Sequence, residues 1–228
     1  MGFRIEKSKA ALIPKILLLI AIILLGLFFL KIKIWEDKYY AEKEGSERAI
    51  TVKGDIEANE VSEEPITEQQ KAEYIVAPDM PRYLHIEKLG IRKARIMEVG
   101  VNAKGQMQTP YSIFDAGWYN GSAKPGTGGT SIIDGHNGGP GTNGIFKNLN
   151  TLTAGDEIMI EMGNGAVYNY RVYDNFEVKL SEADKKMSML TVSPVAGQES
   201  ISIISCIGEW SQKQQTYLSR QFLRATRV

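Results

Sequence analysis

The chain has 228 residues, 43% of them hydrophobic and 24% charged, and its 27 basic side chains are matched by 27 acidic ones. The neutrality hides segregation, with a net +5 over residues 1–35, −8 over residues 36–80 and +3 over residues 81–228. A domain at +3 with interspersed signs lacks the basic stripe of a nucleic-acid binder, and a single cysteine rules out an intramolecular disulfide.

From Ile16 to Leu30 the sequence reads ILLLIAIILLGLFFL, and with Ala11–Lys15 the stretch reaches twenty residues with one charge. At about 1.5 Å per residue it covers a hydrocarbon core of roughly 30 Å. A cleaved signal peptide is the competing reading, but Lys31, Ile32, Lys33, Ile34 and Trp35 offer no small-residue cleavage site. Residues 1–35 are therefore expected to be a cytoplasmic tail and single-pass transmembrane signal anchor. Arg4, Lys7, Lys9 and Lys15 before the span outnumber Lys31 and Lys33 after it, which places the remainder outside the cell.

Residues 36–80 are acidic and show no regular apolar period, a composition that reads as a tether; WEDKYYAEKEGSER at its start is rich in helix formers. From Pro81 the texture changes. Runs rich in β-branched and aromatic residues (RYLHIEKL, KARIMEVGV, TSIIDGH, DEIMIEM, AVYNYRVYDNFEV, ESISIISC, QFLRATRV) alternate with Gly, Asn and Pro clusters. MGNGAV predicts a tight hairpin in which the Asn-Gly pair accepts positive φ. Only SEADKKMSML, residues 181–190, has helical composition. Residues 81–228 thus predict one all-β domain with short helices, a barrel or sandwich with its own core.

Cys206 ends the run ISIISC and is either a small buried hydrophobe or a nucleophile. Use as a nucleophile needs a proton-transfer partner and a donor aimed at the oxyanion. The two histidines differ in setting. His85 lies within an alternating run and reads as a half-exposed strand residue. His136 ends TSIID and opens the loop HNGGPGTNG, where a base or acid can meet substrate, although a satisfied surface histidine is an equal reading. Arg220 and Arg224 fall on one face of a terminal strand; for Arg224 a solvated strand end is the preferred reading. A permanently charged guanidinium in the position of Arg220 suits an oxyanion.

The order Gly135-His136, then Cys206 seventy residues later, then Arg220 fourteen residues after that, resembles the sortase family of membrane-anchored cysteine transpeptidases. The family's T-L-x-T-C is matched by Ser202-Ile203-Ile204-Ser205-Cys206, with serine for both threonines and isoleucine for leucine. GWYNGSAKPGTGGTSIIDGHN is similar to the run preceding Gly-His in class E and F members. The resemblance covers residues 82–228. It implies a closed barrel of about eight strands, catalysis by Cys206, His136 and Arg220, and a place for Ser205 at the substrate. Its implied partners are secreted proteins with a C-terminal Leu-Pro-x-Thr-Gly-like sorting signal, joined through a thioacyl enzyme to an amine acceptor, either a peptidoglycan cross-bridge or a pilin lysine. The loop before His136 lacks the acidic cluster with which some class A members hold calcium, so neither metal nor cofactor is expected. The aromatic Asp-Pro lid motif of class C is also missing. Two alternatives from other classes are an extracytoplasmic cysteine hydrolase and an anchored β-domain without activity.

Overall fold

The computed structural model describes residues 25, 26, 28–33, 61–103 and 105–228. The chain divides into two units, Met1–Glu47 and Arg48–Val228. In the first, Leu25, Gly26 and residues 28–33 are helical, and Phe28 meets Phe29 edge-on at 6.0 Å. Most of the expected anchor, and residues 36–60 of the expected tether, lie outside the described residues. No helix among the described residues is long and apolar enough to cross a membrane.

In the second unit the apolar runs become strands: β1 Pro81–Ile86, β2 Ile91–Val99, β3 Ala116–Tyr119, β4 Thr130–Gly135, β5 Glu157–Met162, β6 Val167–Lys179, β7 Ser200–Ser211 and β8 Thr216–Arg227. They close into a barrel in the order β1-β2-β3-β4-β7-β8-β6-β5. Pairing is antiparallel except at β2–β3 and β4–β7, which are parallel and so require long crossovers. β3 has no counterpart among the runs read from sequence, because four residues, one of them glycine, carry too little period to detect.

Alternation sorts the side chains into two apolar layers. Inside the barrel Ile133, Ile201, Ile203, Leu223 and Ala225 pack with Ile96 and Trp118. On the outer face Ile132, Ile204, Phe222 and Val178 pack beneath the β6–β7 connection. That connection holds α2, Leu180–Lys186, followed by a 3-10 turn Met187–Leu190, as the helical composition of 181–190 predicts. Ala183, Met187 and Leu190 seal the outer layer. β4 is buried at every position although only Ile132 and Ile133 of its six residues are large and apolar.

The β5–β6 hairpin turns at 163–165, with Met162 N donating to Ala166 O at 2.8 Å and Gly165 N to Met162 O at 3.0 Å. Only Gly165 takes positive φ (83°); Asn164 instead accepts from Ala166 N at 2.9 Å, so one left-handed residue suffices where the sequence suggested two.

Residues 61–80 differ from a plain tether. α1, Glu68–Ala72, is opened by a capping box in which Thr67 and Gln70 each satisfy the other's backbone N–H. Ser62 exchanges backbone bonds with Tyr111 and Ile113 at 2.8 and 3.0 Å. Tyr74 Oη donates to Ile96 O at 2.6 Å, and Tyr83 Oη donates to Lys71 O. A low average hydrophobicity concealed these few directed contacts.

Candidate active site

The parallel ladder between β4 and β7 pairs Ile133 with Ile203, Asp134 with Ile204 and Gly135 with Ser205, so His136 and Cys206 are the next residues past the end of that ladder, where β4 stops and β7 runs on to Ser211. Ser205 Oγ donates to Gly135 O at 2.8 Å and is buried. In the structure this hydroxyl pins together the two strands that carry histidine and cysteine. Gly135 has its own reason: a Cβ there would stand 2.7 Å from the Phe146 ring and 3.0 Å from Ile145 Cγ2. Only glycine lets this loop fold back on the strand.

His136 Nε2 lies 2.8 Å from Pro110 O. A carbonyl only accepts, so Nε2 carries the proton and the charge state of the ring is decided at Nδ1. The backbone around it is equally tied. Phe146 N donates to His136 O at 2.9 Å and Gly144 N to Asn137 O at 2.8 Å. Glu63 reaches in from the N-terminal segment and accepts from Gly141 N at 2.9 and 3.2 Å.

The antiparallel β7–β8 ladder pairs Cys206 with Arg220. β8 begins at Thr216, so Arg220 stands inside the strand and not at its opening. It is 2% exposed, and Nη1 donates to Tyr217 O at 3.0 Å and Ser219 O at 3.1 Å while Nη2 donates to Thr216 Oγ1 at 3.2 Å. These bonds fix a planar cation beside the thiol. Arg224 is not a solvated strand end; Asp174 takes it in a two-point ion pair, and its carbon lies 6.0 Å from the Tyr173 ring centre. His85, on β1, is a strand residue away from the thiol, its Nε2 3.8 Å from Glu161; burial pulls its pKa down, partly offset by that carboxylate.

A cleft of about 420 Å³ opens over the thiol, walled by His136 and Cys206, by the glycine loop after His136, and by Trp210, Tyr217 and Val61. Arg220 is not on its wall but covered directly beside Cys206. Trp210 and Tyr217 meet edge-on at 5.2 Å. Extending the Cys206–Arg220 register would set Trp210 opposite Thr216; the ladder slips between Ile207 and Trp210, where Gly208 adopts φ 86°, and so brings Tyr217 opposite Trp210. Val61 belongs to the segment read as a tether.

Fold and site define a class: a closed β-barrel whose sole thiol shares a cleft with a histidine and stands opposite an arginine. The Sortase domain family model matches residues 84–228, and the chain belongs to the sortase family, whose members are cysteine transpeptidases. None of the curated proteins compared matches it. Among solved structures, a lid mutant of sortase A from Corynebacterium diphtheriae is 22% identical, with 75% of this chain and 87% of that one covered and a TM-score of 0.50. Sortase C-1 from Actinomyces oris is 22% identical, with 84% and 98% covered and a TM-score of 0.48. Sortase C1 from Streptococcus agalactiae is 25% identical over 71% and 77%, also with a TM-score of 0.48.

Proposed function

We propose that this chain is a class E/F-like sortase that cleaves a Leu-Pro-x-Thr-Gly-like signal and transfers the acyl part to an amine. The observation that carries this reading is the convergence of Cys206 and His136 on one cleft, with Arg220 paired to Cys206 across the β7–β8 ladder. The Cys206 thiolate attacks the threonyl carbonyl carbon, and its electron pair forms the C–S bond while the carbonyl oxygen becomes an oxyanion. Arg220 donates to that oxygen. As the oxyanion collapses, the C–N bond breaks and the imidazolium of His136 gives its Nδ1 proton to the departing glycine amine. The acceptor amine then attacks the thioester, loses a proton to His136 and releases the thiolate.

In this reading residues 1–35 anchor the enzyme in the membrane with the barrel outside. Confinement to the surface that its substrates traverse raises their effective concentration. The acceptor is a peptidoglycan cross-bridge or a pilin lysine.

Mass spectrometry of a Leu-Pro-x-Thr-Gly peptide incubated with and without an added amine tests the reading. The amide appears with the amine, and the acid appears without it. The acid alone under both conditions indicates a hydrolase. Neither product, together with no labelling of Cys206 by a vinyl sulfone, indicates a domain without activity.

A further inference from the structure

The guanidinium of Arg220 is held at two corners. Nη1 donates to Tyr217 O at 3.0 Å and to Ser219 O at 3.1 Å, while Nη2 donates to Thr216 Oγ1 at 3.2 Å. A planar group fixed at one nitrogen can still swing about it, and a contact at the other nitrogen sets its plane. The two carbonyls at Nη1 are backbone, which any residue supplies, whereas the contact at Nη2 is a threonine hydroxyl. That hydroxyl also donates to Tyr217 O at the long distance of 3.5 Å. With its proton turned there, a lone pair is left to face Nη2.

Thr216 is placed for this contact. It is the first residue of β8 and follows the exposed turn 212–215, whose last residue, Gln215, adopts φ 50°. Four residues separate it from Arg220, so strand alternation puts the two side chains on one face. Thr216 pairs with Ser211 across the ladder, and the next pair, Trp210 with Tyr217, meets edge-on at 5.2 Å. The aromatic contact holds the start of β8 where it leaves the turn. Trp210 and Tyr217 wall the cleft and Thr216 does not. Its hydroxyl therefore faces the arginine, not a bound peptide. Threonine is an ordinary strand residue by shape, but shape alone does not call for a hydroxyl on a cation that is 2% exposed and paired with Cys206.

Resting on the transpeptidase reading, we propose that Thr216 is a positioning residue for acyl transfer: its hydroxyl holds Nη2 of Arg220 and so sets the plane in which the guanidinium meets the oxyanion. A donor aimed in advance needs no reorganisation as charge develops, and a small misplacement of a positioned group can cost about a hundredfold in rate.

The test measures kcat and KM of the full chain on a Leu-Pro-x-Thr-Gly peptide with an added amine, for Thr216→Val and Thr216→Ser, each in the unaltered chain and on Arg220→Lys. Valine keeps the branched shape without the hydroxyl; serine keeps the hydroxyl without the methyl. Thr216→Val is expected to lower kcat about tenfold or more and to leave KM within about twofold, the pattern of an interaction that matters in the transition state. Thr216→Ser should stay within about threefold of the unaltered chain. On Arg220→Lys, whose compact ammonium has no plane to fix, Thr216→Val should change kcat by less than about twofold, as for two residues that act as one unit. A role in strand stability alone would slow both backgrounds alike. Thr216→Ala, which also lacks the hydroxyl, decides the question if Thr216→Val gives no cooperative melt. Equal losses in both backgrounds, a serine variant as slow as the valine one, or kcat of Thr216→Val within about threefold of the unaltered chain overturns the proposal. Absence of both acyl transfer and acylation of Cys206 in the unaltered chain overturns the transpeptidase reading itself.

Discussion

Arg220 is held by three acceptors, two of them backbone carbonyls, which a compact ammonium cannot satisfy together. Arg220→Lys is therefore expected to lower kcat/KM on the sorting peptide at least a hundredfold, the loss of about 2.7 kcal/mol or more typical of one oxyanion donor; a rate within threefold removes Arg220 from the chemistry. Ser205→Ala deletes one buried hydrogen bond worth about 1 kcal/mol. It should lower the melting temperature by about 2 to 4 °C and slow acylation far less than Cys206→Ala, whereas loss as complete as Cys206→Ala would place the hydroxyl at the substrate. The residues of the trio were legible because their chemistry is scarce: one thiol, two histidines in unlike settings, and an arginine in a terminal strand. The use of Ser205 was not, since only the parallel register reveals that Gly135 O lies within its reach.

Among the elements, the connection between β3 and β4 is stapled by Glu199. Its carboxylate accepts from Gly126 N at 2.8 Å, Gly128 N at 3.1 Å, Tyr170 Oη at 2.6 Å and Arg227 Nη1 at 3.0 Å, which ties a loop to β6 and β8. Burial raises its pKa, but these donors together more than offset that and hold it below the usual glutamate value. A depressed carboxyl contributes stability that is present above its unfolded pKa, about 4.3, and is lost as pH falls through the folded one. Glu199→Gln should therefore melt below the unaltered chain at pH 7, with the gap narrowing as the pH drops below about 4; a gap independent of pH would mean that the charge contributes nothing. Long strands and α2 were readable from period and composition. β3, the bulge at Gly208 and the early start of β8 were not, because each depends on pairing partners far off in sequence.

For the whole molecule, the domain boundary drawn at residue 81 from composition cuts through a set of specific contacts. Glu63 holds the loop after His136, and Tyr74 and Lys71 bond β2 and β1. A fragment beginning at residue 81 should melt several degrees below one beginning at residue 61, and amide exchange at Gly141 should quicken. Equal melting and exchange would make residues 61–80 a spacer after all. The central claim concerns a covalent bond and is tested by stopping the full chain in acid during turnover of a Leu-Pro-x-Thr-Gly peptide and mapping it by mass spectrometry. The account predicts a single adduct on Cys206 with the mass of the acyl half ending in threonine, discharged when an amine is added before the acid. Turnover with Cys206 unmodified, or turnover that survives Cys206→Ala, would contradict it.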